Sequence, residues 1–322
     1  MSMKRLLAIA ALAWGAASFA QDYPGRPVTI VVPAPPGGVI DVLTRMLAEG
    51  MSKRMGQTVI VDNKPGASGM VAAQTVARAS PDGYTLLVSA STPILYAPYM
   101  VAKMAYDVRR DLSFVSQLYT GQLLLAVNGK SPSGNIKDLV AWADKNKGKV
   151  TYGSYGIGSS GHLIGAFLSQ SRNLEMIHVP YKGEPQMLQD LMSGQLTWAV
   201  GTAGTLQPLV ESGRLRALAV LGDRRVKTLP NVPTMAEAGF PEPELMTVGW
   251  IGMMAPAGVP APILARLEKE SLAVMQTTEM KARLQVYGMD LIAGTSAEFR
   301  RDFEAAAPMI ERLIRNSGAK VE

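Results

Sequence analysis

Residues 28–41 read VTIVVPAPPGGVID, and this stretch decides the fold. The run from Val28 to Val32 predicts a buried β-strand, and the Pro/Gly run behind it predicts a stiff turn. Apolar side chains then recur three and four residues apart from Leu43 to Met55, which indicates one face of an amphipathic helix. The stretch therefore predicts a strand, a tight turn and a helix in immediate succession.

The turn between this strand and helix has features that favour anion binding. Gly37 and Gly38 have no Cβ, so the backbone can bend sharply and approach a bound group closely. The first amides of the helix have no intrahelical partner and carry the positive end of its dipole. Such a turn favours a bound anion; the alternative is a tight connection without a ligand.

Length and composition limit the classes of protein that fit. A chain of 322 residues predicts two lobes, and 48% hydrophobic with 18% charged residues is typical of a globular protein. The absence of cysteine excludes disulfides, thiol chemistry and iron–sulfur clusters. With only two histidines, His162 and His178, we expect no metal site and no cofactor.

Residues 1–20 have the pattern of a signal peptide. Lys4 and Arg5 precede an apolar run, and Ser18-Phe19-Ala20 forms a small-x-small cleavage site. We expect cleavage after Ala20 and a periplasmic protein, with a retained membrane anchor as the alternative.

The charge pattern argues against a nucleic-acid partner. The formal charge of +6 falls to +4 once Lys4 and Arg5 are removed with the leader. The basic residues are scattered, whereas nucleic-acid binding calls for a basic stripe interleaved with exposed aromatic residues.

Similar strand–turn units follow the first one. Strands over 58–62 and 84–88 lead into Ala67-Ser68-Gly69 and Ser91-Thr92. In open parallel sheets the ligand crevice lies outside the carboxyl ends of the strands. We therefore expect three turns to converge on one point.

A second series begins after a crossing strand over 123–128. Strands over 150–153, 176–179, 196–200 and 215–220 follow it, and several end in small-residue turns. A strand over 247–254 returns the chain, and helices over 261–280 and 297–314 complete it. The sequence thus predicts an α/β protein with one lobe of residues 21–122 and 247–322 and a second of 123–246, facing each other across a hinged cleft.

Enzymatic interpretations find little support. Residues 156–161 match G-x-G-x-x-G, but the next strand does not end in the acid that a dinucleotide site needs, so an anion-binding turn is favoured. The chain contains no G-x-S-x-G nucleophile elbow. His162 is interpreted as a hydrogen-bond donor to backbone or ligand, and His178 as a satisfied core histidine. An exported α/β hydrolase acting on a carboxylate ester remains the alternative.

Six segments, in order along the mature chain, resemble the Bug (TctC-type) family of periplasmic solute-binding proteins from tripartite tricarboxylate transporters. They are residues 33–41, 63–69, 81–84, 156–163, 178–183 and 230–239. The resemblance implies a two-lobe, type II periplasmic-binding-protein fold that closes on a small carboxylate like a flytrap. It implies binding mainly through backbone amides, hydroxyls and waters, and delivery to membrane permease subunits. We expect a monomer that is not an enzyme; presentation of the ligand to a sensor is the alternative role.

The resemblance also assigns contacts by position. In the first lobe they are Gly37, Gly38, Val39, Asp41, Ala67, Ser68, Gly69, Ser91 and Thr92. In the second lobe they are Ser154, Gly158, Ser159, Ser160, His162 and Thr202. Two further residues in predicted cleft turns, Tyr155 and Tyr181, are candidates to line the pocket, with surface or core packing as the alternative.

Four positions depart from the family pattern. Ala34 stands where the family often has Phe, which predicts a larger pocket, and Ser68 stands where Gly is common. Gly201-Thr202 replaces a frequent acid at a strand end, and Glu184 replaces a common Gly. The small Ala34 and the nearby Tyr155 suggest a bulky or aromatic carboxylate rather than a short aliphatic one.

Overall fold

The computed structural model describes residues 23–246 and 249–317, which form an α/β fold on two separate sheets. The predicted signal peptide and residues 247–248 lie outside these ranges. Within them, no helix is both long and apolar enough to cross a membrane.

The strands of the described residues are short. They are β1 (Val28–Val32), β2 (Val59–Asn63), β3 (Thr85–Ala90), β4 (Leu112–Gly121), β5 (Leu123–Asn128), β6 (Thr151–Ser154), β7 (Ile177–Pro180), β8 (Trp198–Thr202), β9 (Leu215–Leu221), β10 (Trp250–Pro256) and β11 (Met289–Gly294).

The α-helices of the same ranges lie between and after these strands. They are α1 (Val39–Met55), α2 (Met70–Ala77), α3 (Ala97–Met100), α4 (Val108–Asp111), α5 (Ile136–Lys145), α6 (Ser160–Ser171), α7 (Glu184–Ser193), α8 (Ala203–Glu211), α9 (Ala261–Met275), α10 (Thr278–Val286) and α11 (Ser296–Ser317). Short 3₁₀ turns cover Ala67–Gly69 and Pro243–Met246, and a π-helical turn covers Thr92–Tyr96.

The first sheet has six strands in the order β11-β4-β10-β3-β1-β2. β1 pairs in parallel with β2 and with β3, while β10 runs antiparallel to β3 and to β4. The carboxyl ends of β1, β2 and β3 therefore meet at one edge. We call this sheet with the helices packed on it lobe 1.

The second sheet has five strands in the order β7-β6-β8-β5-β9. β6 pairs in parallel with β7 and β8, and β5 runs antiparallel to β8 and β9. Here the ends of β6, β7 and β8 meet at one edge. We call this sheet with its helices lobe 2.

Two segments connect the lobes, and they lie side by side. The chain leaves lobe 1 through β4, passes Gln122 and enters lobe 2 as β5; it returns through Gly249 into β10. β4 and β10 are paired up to this junction, where Trp250 is opposite Thr120. The Thr120 hydroxyl donates to the Gly249 carbonyl at 2.6 Å. This pairing holds the two crossing segments together.

Each sheet carries buried apolar side chains on both faces, as expected when helices cover both sides. Helix α6 also links the lobes, because Leu163 is fully buried among lobe 1 side chains that include Tyr96, Met100 and Phe303. The predicted return of the chain to the first sheet after lobe 2 is confirmed by the pairing of β10 with β3 and β4.

Three sequence predictions need correction. The helix expected over 261–280 ends at Met275, and a new helix starts with Thr277, whose side chain accepts from the Met280 amide as an N-cap. Residues 106–114, whose polar sequence predicts an irregular segment, contain α4 and the start of β4. The hydroxyl-bearing loop predicted for residues 89–93 is instead the end of β3 and the start of the π-helical turn, whose side chains from Pro93 to Tyr96 are buried.

The packing of Phe299 makes a test of the lobe 1 core. This side chain is fully buried, and its ring lies 4.8 Å from Phe114 and 4.6 Å from Trp250. We expect Phe299→Ala to lower the free energy of unfolding by about 3–5 kcal/mol, because the cavity cannot collapse fully. Urea unfolding followed by circular dichroism measures it. The control is Val286→Ala at a side chain that is 71% exposed; an equal loss in both variants would contradict the prediction.

Candidate ligand-binding cleft

The turn after β1 is organised by the buried carboxylate of Asp41. Its Oδ2 accepts from the Gly37 amide at 2.8 Å, and its Oδ1 accepts from Asn63 Nδ2 at 2.8 Å. Arg45 adds an ion pair at 2.9 Å. The position of Asp41 at a helix start predicts bonds to free amides or to a bridging water, and the bond from the Gly37 amide agrees with the first of these. Asp41 is 2% exposed. Its carboxylate therefore holds the turn in place from the buried side and does not face solvent.

The amides of the two turn glycines are engaged within the turn. Gly37 (φ +83°) donates to Asp41, and Gly38 donates to the Pro35 carbonyl at 3.3 Å. Helix α1 starts after Gly38 without a side-chain cap. The donors left at this helix start are thus the first helical amides, those of Val39, Ile40 and Asp41.

The three strand-end turns of lobe 1 meet at Gly69. A Cβ there would lie 3.0 Å from Pro93, after β3, and 3.2 Å from Pro33, after β1. Glycine is required because of this close approach and a φ of +95°. The two preceding residues, Ala67 and Ser68, are exposed and also have positive φ angles. The expected convergence of three turns is confirmed.

The turn after β3 buries one of its two predicted contacts. Ser91 is 3% exposed, and its amide donates to the Trp250 carbonyl at 2.9 Å. Thr92 is half-buried and begins the π-helical turn. One turn further on, Tyr96 is buried with its hydroxyl 3.4 Å from Ser160 Oγ of lobe 2. Sequence reasoning missed Tyr96, although its four-residue spacing from Thr92 was a usable signal.

In lobe 2 a serine hydroxyl caps the start of α6. Ser159 is the N-cap residue: its Oγ accepts from the His162 amide at 3.4 Å and donates to the Gly156 carbonyl at 2.7 Å. Gly158 (φ +74°) contacts lobe 1, because a Cβ there would lie 2.2 Å from Met100 Sδ. A close approach of the lobes thus depends on this glycine, and Met100 is a second contact that the sequence did not reveal.

Polar groups of the two lobes meet around Gly249. A Cβ on Gly249 would lie 3.1 Å from Ser91 Oγ and 3.8 Å from Ser160 Oγ. Tyr155 is half-buried, and Ser160 and the Gly161 backbone lie close enough to its hydroxyl to lower its pKa slightly. Burial raises the pKa of Tyr155, so the phenol stays protonated and can donate.

The two histidines form a stacked pair at the edge of the second sheet. The rings of His162 and His178 lie 3.8 Å apart and 10° from parallel. Burial lowers the pKa of both to about 4, and for His178 the charge of His162 adds to the shift. Both rings are therefore neutral at neutral pH.

One interpretation of these histidines needs correction, and the other, His162 as a donor to a ligand, stays a prediction. His178 is satisfied by Ser154 Oγ at 2.8 Å, but it lies half-buried on the edge strand β7 and not in a core. His162 does not donate to the backbone through Nδ1; this atom accepts from the Gly158 amide at 3.0 Å.

The Ser154–His178 contact does not make a hydrolase. Ser154 is fully buried, and its Oγ also contacts the Gly156 carbonyl at 3.0 Å. A histidine with a pKa near 4 is a weak base. Among the described residues no carboxylate is bonded to His178, so the orienting member of a triad is missing.

Two predicted contacts are engaged within lobe 2. The Tyr181 hydroxyl donates to Asp190 Oδ2 at 2.6 Å. Thr202, at the end of β8, donates to Glu184 through both its amide and its hydroxyl. In the ranges that the structure describes, no group of three or more His, Asp or Glu side chains could hold a metal ion.

Two α/β lobes joined by paired crossing segments, with strand-end turns facing each other, define the class of periplasmic solute-binding proteins. The chain belongs to the tripartite tricarboxylate transporter receptor family, whose model matches residues 43–318. The family resemblance seen in the sequence is confirmed, and this is a family of solute-binding receptors and not of enzymes.

Similar proteins cover nearly the whole chain. Protein BugT of Bordetella pertussis is 30% identical over 328 residues, covering 100% of both chains. The structure of Rpa4515 from Rhodopseudomonas palustris with adipate is 32% identical, with a TM-score of 0.82 over 93% of this chain and 100% of that one. MatC from R. palustris, with bound malate, is 26% identical, with a TM-score of 0.78 over 91% of this chain and 100% of that one.

The Asp41 network predicts a pH-dependent loss of stability. Burial alone would raise the pKa of Asp41, but hydrogen bonds from Arg45, Asn63 and Gly37 outweigh it and lower the pKa from 3.8 to about 2. Because the folded-state pKa lies below the unfolded one, the carboxylate stabilises the fold above about pH 4 and loses this effect towards about pH 2.

We therefore expect Asp41→Asn to cost about 1–2 kcal/mol at neutral pH and to flatten the decline in stability below about pH 4. Urea unfolding between neutral and acidic pH measures both. Asp302→Asn, at an exposed aspartate of α11, is the matched control. The prediction is wrong if Asp41→Asn loses stability with acid as steeply as the unmodified protein does.

Proposed function

We propose that this protein is an exported receptor that captures a small carboxylate between its lobes and delivers it to the membrane subunits of a tripartite tricarboxylate-type transporter. The observation that carries the proposal is the meeting of strand-end turns from both sheets, with Ser91 and Tyr96 of lobe 1 next to Ser160 of lobe 2. We further propose cleavage after Ala20, and closure between a lobe of residues 21–122 with 247–322 and one of 123–246.

Lobe 1 supplies the donors for the carboxylate. The uncapped start of α1 offers the Val39 and Ile40 amides and the positive end of a 17-residue helix. A carboxylate accepting several amide hydrogen bonds is bound strongly without a charged side chain. Relatives of this chain have been solved with adipate and with malate, which supports a carboxylate ligand here.

The side chain beside this helix start is small, since a Cβ on Gly38 would lie 4.0 Å from Ala34 Cβ. Tyr96 of lobe 1 and Tyr155 of lobe 2 bring aromatic rings to Ser160 at the junction of the lobes. We propose that the ligand is a bulky or aromatic carboxylate rather than a short aliphatic one.

A thermal-shift screen of aliphatic and aromatic acids tests the proposal. A ligand at a hundred times its dissociation constant adds about 2.7 kcal/mol of stability, which a melting experiment detects. We expect aromatic acids to raise the melting temperature more than succinate or malate. Stabilisation by succinate- or malate-sized acids alone would remove the aromatic assignment, and no stabilisation by any carboxylate would remove the function itself. Loss of uptake of the identified acid in cells lacking the receptor tests delivery to the transporter.

Gly38→Val tests the backbone cradle. The φ of −69° at Gly38 suits any residue, and an added Cβ would meet the Pro35 carbonyl at 3.4 Å and Ala34 Cβ at 4.0 Å, both ordinary contacts. The fold should therefore survive while the side chain blocks access to the first amides of α1. We expect at least about a tenfold loss of affinity by calorimetry, because charge-assisted hydrogen bonds are lost.

The matched control for this variant is Gly134→Val. Gly134 is exposed and also precedes a helix, and an added Cβ would meet only Asp138 at 3.4 Å. Unchanged affinity in Gly38→Val would place the cradle elsewhere.

A further inference from the structure

Glu184 places a carboxylate inside the turn at the end of β8. Its Oε1 accepts from the Thr202 amide at 2.7 Å, and its Oε2 accepts from the Thr202 hydroxyl at 2.9 Å. Thr202 is the residue before α8, and its side chain forms no capping bond to that helix. A backbone amide and a hydroxyl at a helix start are donors suited to a carboxylate. Here the protein's own carboxylate occupies them.

This carboxylate lies at the cleft edge of the second sheet. Glu184 is the first residue of α7, which follows β7, and Thr202 ends β8; the carboxyl ends of these strands lie at the same edge as that of β6. A Cβ on Gly201 would lie 3.6 Å from Glu184 Oε1, so the side chain lies against the end of β8. Glu184 is half-buried, which limits screening of its charge by water.

Within the ranges that the structure describes, Glu184 forms no ion pair, and the hydrogen bonds to its carboxylate are those from Thr202. Its charge acts on the interlobe site, because it raises the pKa of Tyr155. Only the burial of Tyr155 raises this pKa more. Tyr155 in turn reaches Ser160, which meets lobe 1 at Tyr96.

We infer that Glu184 determines the ligand class: it fills the anion position of lobe 2 and repels a second negative group, so the receptor takes monocarboxylates. The inference rests on the proposed function, since it assumes a carboxylate bound at the start of α1. The ligand then lies with its carboxylate towards lobe 1 and its uncharged end towards Glu184.

Calorimetry with matched acid pairs tests this inference. Hexanoate against adipate and benzoate against terephthalate each differ by one carboxylate on the same skeleton. We expect the monocarboxylate of a binding pair to bind at least about tenfold more tightly, because like charges at close range are strongly unfavourable. In Glu184→Gln, which keeps an oxygen for the Thr202 amide, the preference should shift by about tenfold or more towards the diacid.

Two further variants make the result specific. Glu184→Asp keeps the charge and should keep the preference for monocarboxylates. Glu211→Gln removes the same charge from the exposed far end of α8 and should leave the preference unchanged. Melting temperatures of all variants report folding.

Two results would overturn the inference. One is equal or tighter binding of the diacids by the unmodified protein. The other is an equal weakening of both acids of a pair in Glu184→Gln, which would show a purely structural role. If no aliphatic or aromatic acid bound, the proposed function would fail instead, so the two failures are distinguishable.

Discussion

The pairing of β4 with β10 is the constraint on which the rest of the structure depends. These strands carry the two crossing segments, and the bond from Thr120 to Gly249 ties them at the junction of the sheets. With both crossings at one place, the ends of β1, β2 and β3 face those of β6, β7 and β8. A cleft between strand ends is a consequence of this topology, and the turns only refine it.

Most polar side chains near the cleft hold the turns in place and are not free to bind a ligand. Asp41 fixes the Gly37 turn, Ser159 caps α6, and Glu184 fixes the end of β8. Each bond removes a donor or acceptor from the ligand's reach, but it also settles the geometry of the turn before a ligand arrives. Affinity then gains because less conformational freedom is lost on binding. The groups that we propose meet the ligand are helix-start amides and the hydroxyls around Gly249.

The local sequence pattern predicted where the turns lie but not which residues they contact. The bounds of β1 and β5 agree with the sequence prediction, since both are continuous apolar runs bounded by turn residues. The strand β11 was missed because its side chains are mostly half-buried and it has no clear alternation. The π-helical turn at Thr92–Tyr96 was missed because Pro93 signals a loop, whereas burial against lobe 1 decides its conformation. Contacts such as Tyr96 to Ser160, 64 residues apart, depend on the docking of two lobes, which no local pattern encodes.

The two departures from the family pattern in lobe 2 are explained by one contact. In the sequence, the change to Glu184 and the loss of an acid at Gly201-Thr202 look independent. In the structure the Glu184 carboxylate lies against Gly201 and accepts both donors of Thr202. A negative charge therefore remains at the end of β8, although it comes from another strand–helix unit. His162 and His178 are neutral at neutral pH, so they do not offset this negative charge. The positive end of α1 thus belongs to lobe 1 and the Glu184 carboxylate to lobe 2. In the proposed binding mode, this difference in charge between the lobes would orient an anion bound between them.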